Sequence, residues 1–147
     1  MLILKHVCQS ILSHQRETPP ETGGILGGRD GVVTEYRLDE GKHIGKMCSY
    51  APNVALLNET IRQWQGRGIA FMGIFHTHFF GVDTLSDGDM DYIETIMKQM
   101  PPQIDRLLFP LVVMPQREIA AYSAIIRNGE VVISKDQLEL IERIKEE

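Results

Sequence analysis

The stretch that most constrains the fold is residues 69–78. Ile69, Phe71, Met72, Ile74 and Phe75 leave almost no polar surface before His76, Thr77 and His78 close the run. A short apolar run of this kind, preceded by Gly66 and Gly68, reads as a strand covered on both faces. Such a strand requires a sheet with other layers packed against it. Its two terminal imidazoles share one face, because residues i and i+2 project together while Thr77 points away.

The rest of the chain supplies those layers. Val7, Cys8, Ile11 and Leu12 recur at helical spacing through about Arg16, where Thr18-Pro19-Pro20 stops the helix. Pro52-Asn53 opens a second helix with Val54, Leu57, Ile61 and Trp64 on one stripe. A third starts at Ser86 and Asp89 and carries Met90, Ile93, Met97 and Met100, closed by Pro101-Pro102. Leu138, Ile141 and Ile144 predict a closing helix over residues 135–147, with the acidic run 142–147 as its solvated end.

Residues 21–28 combine four glycines with Ile25 and Leu26, which predicts a strand packed closely against other backbone. A phosphate cradle fits poorly, since neither Gly-Lys-Ser/Thr nor G-x-G-x-x-G is present. Arg29-Asp30-Gly31 reads as a hairpin turn into residues 32–38. Two further strand-like runs cover residues 107–114 and 119–127, and Asn128-Gly129 turns the chain into residues 131–134. Residues 39–50 read as a polar, irregular loop. Helices and strands interleave without a strict βαβ repeat, so the expectation is one α/β (α+β) domain over residues 1–147 with a mixed sheet.

Charge narrows the partners. Fifteen basic against twenty acidic residues give a net charge of −5 with no basic cluster, which disfavours nucleic acid and anionic membranes. Cys8 and Cys48 form no C-x-x-C pair, so neither a disulfide scaffold nor a thiolate zinc site is indicated, and a reducing cytoplasm fits. The opening Met1-Leu2-Ile3-Leu4 is too short for a signal peptide or membrane span.

His76 and His78 are the type of ligand zinc takes, and Asp89, eleven residues on, is placed to be the third, with a fourth position left for water. A lone His-x-His pair also serves as a solvent-facing or hydrogen-bonded pair. Asp89 in a first helical turn is favoured by the dipole alone. Hydrolysis needs a base, for which Glu21 is the candidate, although its approach to the histidines does not follow from spacing. Ser86 has two readings: an oxyanion donor, or the N-cap of its helix, since Ser86-x-x-Asp89 has the form of a capping arrangement.

Glu21 with its glycine-rich strand, then His76-x-His78, then Ser86-x-x-Asp89, resembles the JAMM motif of the MPN-domain metalloproteases. The resemblance spans residues 7–127 and is strongest to short prokaryotic members. It implies the MPN/JAB (cytidine-deaminase-like) architecture, a curved mixed sheet flanked by helices. It also implies zinc held by His76, His78 and Asp89, Glu21 as general acid and base, and Ser86 at the oxyanion. The implied activity is hydrolysis of the peptide or isopeptide bond at the C-terminus of a ubiquitin-like or sulfur-carrier β-grasp protein.

Phe79-Phe80 stands where many members carry proline, and there is little extra sequence between the third helix and Leu107, which favours a small β-grasp protein or a simple peptide tail. Strand addition of that tail places residues 39–50 and 79–85 at the borders of a groove. Two other classes fit less well: a non-catalytic MPN-fold scaffold, against which intact ligands count, and an iron oxygenase with a His/His/carboxylate triad, whose all-β context is missing.

Overall fold

The computed structural model describes residues 1–41 and 50–144. Its elements run β1 (Leu2–Leu4), α1 (Lys5–Ser13), β2 (Gly23–Arg29), β3 (Val32–Asp39), α2 (Val54–Gln65), β4 (Ala70–His78), α3 (Asp87–Gln99), β5 (Arg106–Leu108), β6 (Leu111–Val113), β7 (Glu118–Ala120), β8 (Tyr122–Arg127), β9 (Glu130–Lys135) and β10 (Glu139–Ile141). One mixed sheet joins the strands in the order β10-β1-β3-β2-β4-β5-β8-β9, and β6 leaves this path to pair β4 and β7.

β4 is the central strand, as its apolar run requires. It pairs antiparallel to β2 and parallel to both β5 and β6. Alternation then sorts its side chains between two cores. Phe75 joins Val7, Cys8 and Ile11 of α1 on one face, and Ile74 joins Leu57 and Trp64 of α2 and Ile93 and Met97 of α3 on the other. His76 and His78 follow Ile74 at steps of two, so they emerge on the α2/α3 face. None of the described helices is long and apolar enough to cross a membrane.

β2 and β3 form the expected hairpin, turned by Asp30 and Gly31 at φ of 54° and 77°. Both central residues of a two-residue hairpin turn need positive φ, which Gly31 adopts at no steric penalty. The close packing expected of the glycine-rich strand is found where it matters for the site. Gly23 lies opposite His76, and a Cβ there would meet the Phe75 carbonyl and come 2.7 Å from the Tyr50 ring.

Three expectations are corrected. The run 107–114 is two strands, because Pro110 cannot donate to a ladder and the chain shifts from β5 to β6 around it. Residues 119–127 likewise divide at Ala121 into β7 and β8. The closing helix is absent from the described residues: β9 runs to Lys135, and β10 adds to β1 in parallel, with Leu2 opposite Glu139 and Leu4 opposite Ile141. An open strand edge with an apolar cluster beneath it outweighs three apolar residues at helical spacing, and Ile141 and Ile144 pack on the α1 core. Much of the expected loop over residues 39–50, and the last three residues of the acidic run, lie outside the described residues.

Candidate metal centre

Two local motifs and one long-range pairing build the site. β4 delivers His76 and His78 at its end, and α3 delivers Asp89 from its first turn. Ser86 begins that helix with a capping box: its Oγ accepts from the Asp89 N–H at 3.1 Å, while Asp89 Oδ2 accepts from the Ser86 N–H at 2.9 Å. The cap reading of Ser86 therefore holds. It occupies an acceptor lone pair of the hydroxyl and leaves the O–H available to donate.

Glu21 arrives through tertiary structure. The Thr22 N–H donates to Thr77 Oγ1 at 2.9 Å, and the Thr77 N–H donates to the Thr22 carbonyl at 2.7 Å, which ties the segment before β2 to the end of β4. Thr77 does point away from the histidines, and this is what it does there.

The four side chains converge. Asp89 Oδ1 lies 3.0 Å from His76 Nε2, Asp89 Oδ2 lies 2.9 Å from His78 Nε2, and the two Nε2 atoms are 3.1 Å apart. Ligand atoms at 2.0–2.1 Å from a tetrahedral zinc stand roughly 3.3 Å from one another, so this triangle is close to the size that a divalent cation spans. Glu21 brings an oxygen into the same group, all four ligand atoms lying within 4.8 Å of one another, and all four residues are buried. Two imidazoles and a carboxylate fit zinc, and the residues present fit the metal that the resemblance implies.

Electrostatics separate the members. Burial pushes the Glu21 carboxyl up; His78 opposes this and Asp89 adds to it, leaving its pKa at about 7. Burial also favours the neutral form of Asp89, but hydrogen bonds from both histidines and the Ser86 N–H outweigh it and hold the carboxylate ionised. Fully buried, His76 is driven below the usual histidine range by desolvation, against the pull of Asp89. His78 is less enclosed, and Asp89, Glu21 and the Val82 backbone overcome its desolvation and raise it.

Two tyrosines escaped the sequence reading. The Tyr92 hydroxyl is 3.0 Å from His76 Nδ1, and the Tyr50 ring stacks on His76 at 5.3 Å with an interplanar angle of 5°. Tyr92 stands three residues after Asp89, so i,i+3 spacing on α3 places both on one face. That signal was available in the sequence. Tyr50 carried none. His78 Nδ1, by contrast, is buried and makes no hydrogen bond of ordinary geometry among the described residues, the Val82 backbone being near enough only to favour its protonated form.

No protein-family model and no curated protein matches this sequence, whereas solved structures do. The solution structure of protein DSY2949 from Desulfitobacterium hafniense matches at a TM-score of 0.67 with 20% identity, covering 98% of this chain and 94% of that one. The crystal structure of AF2198, a JAB1/MPN domain protein from Archaeoglobus fulgidus, matches at a TM-score of 0.55 with 18% identity, covering 97% and 100%. These likenesses establish the fold: a mixed sheet flanked by helices, similar to that of a JAB1/MPN domain protein.

Proposed function

We propose that this chain is a zinc-dependent peptidase or isopeptidase of the JAMM type, acting at the C-terminal tail of a ubiquitin-like or sulfur-carrier β-grasp protein. One observation carries the reading: two imidazoles and a carboxylate lie within 3.1 Å of one another, with a fourth buried acid, Glu21, at their side. His76, His78 and Asp89 would hold the ion. A bound divalent cation would supply Lewis acidity and ease deprotonation of water near neutral pH.

The chain's own groups do the remainder. Glu21 takes a proton from the attacking water and passes it to the departing amine, a task suited to a carboxyl whose pKa lies near the working pH. Ser86 uses its remaining O–H to donate to the oxyanion, an effect of about 3 kcal/mol where such donors have been removed elsewhere. Residues 79–85 border the groove for the extended tail, a segment pinned by the Gly81 N–H on the Met114 carbonyl at 3.0 Å and by the Tyr122 hydroxyl on the Asp83 carbonyl at 2.8 Å.

The test incubates the zinc-loaded protein and its Glu21→Gln variant with β-grasp proteins bearing C-terminal extensions and reads product masses. Glu21→Gln is expected to keep zinc and lose about 10²–10⁴-fold in turnover. A fully folded protein that takes up no zinc would overturn the metal reading. Equal turnover by the variant would remove Glu21 from the chemistry, and zinc binding without cleavage of any tail by the wild type would make the protein a scaffold.

A further inference from the structure

Three tight turns among the described residues hold both central residues at positive φ. Two of them close hairpins with the residues this geometry favours, Asp30-Gly31 between β2 and β3 and Asn128-Gly129 between β8 and β9. The third is Phe80-Gly81, at φ of 60° and 72°, closed by the Val82 N–H on the Phe79 carbonyl at 3.2 Å. A bulky aromatic residue in the left-handed region is sterically disfavoured, whereas Gly, Asn and Asp visit it readily.

Packing does not offset that strain. Phe80 is 81% exposed, its ring centroid 6.5 Å from that of Phe79. The base beneath it is nevertheless fixed, since Phe79 is buried in the α1 core and the Gly81 N–H is bound to the Met114 carbonyl. A lone exposed aromatic is ordinary on a protein surface. One that replaces the favoured residue of its turn and buries nothing points to a contact made outside the chain. The turn also lies at the metal centre: Phe80 is two residues after His78, at most about 7 Å between Cα atoms, and the Val82 backbone returns to the His78 ring.

We propose that Phe80 determines specificity by packing its ring against an apolar side chain of the substrate's extended tail, within about two residues of the scissile bond. An extended tail advances about 3.3 Å per residue. A scissile carbonyl at the His76, His78 and Asp89 cluster therefore brings the side chains one or two positions away alongside Phe80. An apolar occupant is favoured because the ring has no hydrogen-bonding group and Val82, 47% exposed, extends the same kind of surface. This deepens the peptidase reading and rests on it.

Phe80→Asn installs the residue that the Asn128-Gly129 turn uses, so its melting temperature is expected to rise by about 2–4 °C. β-grasp proteins whose C-terminal extensions carry Leu or Gly at each position in turn are then incubated with the zinc-loaded wild type and variant. From product masses, the wild type is expected to prefer Leu beside the scissile bond by about 10-fold in kcat/KM, and Phe80→Asn to lose that preference. Isothermal titration of the same tails into zinc-loaded Glu21→Gln, with and without Phe80→Asn, reads the contact without turnover. An unchanged Leu preference in Phe80→Asn, or a melting temperature below that of the wild type, would overturn the proposal. So would dimerisation of the wild type that Phe80→Asn abolishes with tail preference intact, since the ring would then serve a second copy of this chain. Cleavage with the preference unmoved would sink only the role of Phe80. Leu-selective binding lost in Phe80→Asn, without cleavage of any tail by the wild type, would sink only the peptidase reading, and a wild type that neither binds nor cleaves would sink both.

Discussion

Two buried aspartates bear on His76, one directly and one through a tyrosine. Asp89 lies 3.0 and 2.9 Å from the Nε2 atoms of His76 and His78 and accepts from the Ser86 N–H. Asp39, the last residue of β3, accepts from the Gly41 N–H at 2.7 Å, the Asn53 N–H at 2.9 Å and the Tyr50 hydroxyl at 3.2 Å, and Tyr50 stacks on His76. Both carboxylates are buried and satisfied, so burial does not tell them apart. Their donors do. Backbone amides and a buried phenol keep their protons, whereas an imidazole nitrogen can exchange its proton for a metal bond. Asp39 is therefore an anchor that fixes both ends of a chain segment and aims Tyr50, and Asp89 belongs to an exchangeable set.

The sharpest way to break that distinction is to remove each carboxylate in turn. Asp89→Asn preserves the volume and one acceptor oxygen but withdraws the charge; zinc affinity is expected to fall by about 100-fold or more, beyond what outer-partner changes produce, with the fold intact by circular dichroism. Asp39→Ala strands a buried phenol and two part-buried amides and is expected to lose about 2–4 kcal/mol of stability in urea unfolding, while isothermal titration shows zinc binding still close to the wild type. If Asp39→Ala instead abolished zinc binding at full stability, the two aspartates would form one functional unit.

What could be read from the sequence divides along the same line. The exchangeable set was legible where its geometry is local: His76 and His78 two apart on a strand, and Ser86 and Asp89 in one helical turn. Glu21 was legible only as part of a resemblance, because its approach depends on the β2–β4 register that sets Gly23 opposite His76. The anchors were largely invisible. Asp39 was read as the start of a polar loop, and nothing in the spacing from Asp39 to Tyr50 announces that their side chains meet. The closing segment failed for a related reason: Leu138, Ile141 and Ile144 fit a helix period, but only the folded sheet reveals that β1 has an edge for Glu139–Ile141 to join.

Asp136, next to that edge, tests the anchor class at its weakest member. It accepts from the Gln137 N–H at 2.8 Å, Arg106 at 2.9 Å and the Met1 amine at 3.1 Å. Burial works to raise its pKa, yet these hydrogen bonds and positive charges prevail and hold it below the ordinary 3.8. A folded carboxyl that binds its proton less readily than the unfolded one stabilises the fold above the ordinary value. That contribution is lost as pH falls through the depressed one. Arg106 is largely exposed and the pair is screened, so Asp136→Asn is expected to lose about 1 kcal/mol at neutral pH. Urea unfolding of wild type and variant at a series of pH values should show the gap closing as pH drops below 3.8, with zinc affinity at neutral pH unmoved. A gap that widened toward low pH would reverse the sign of the linkage, and a change in zinc affinity would mean that the two classes of aspartate communicate across the sheet.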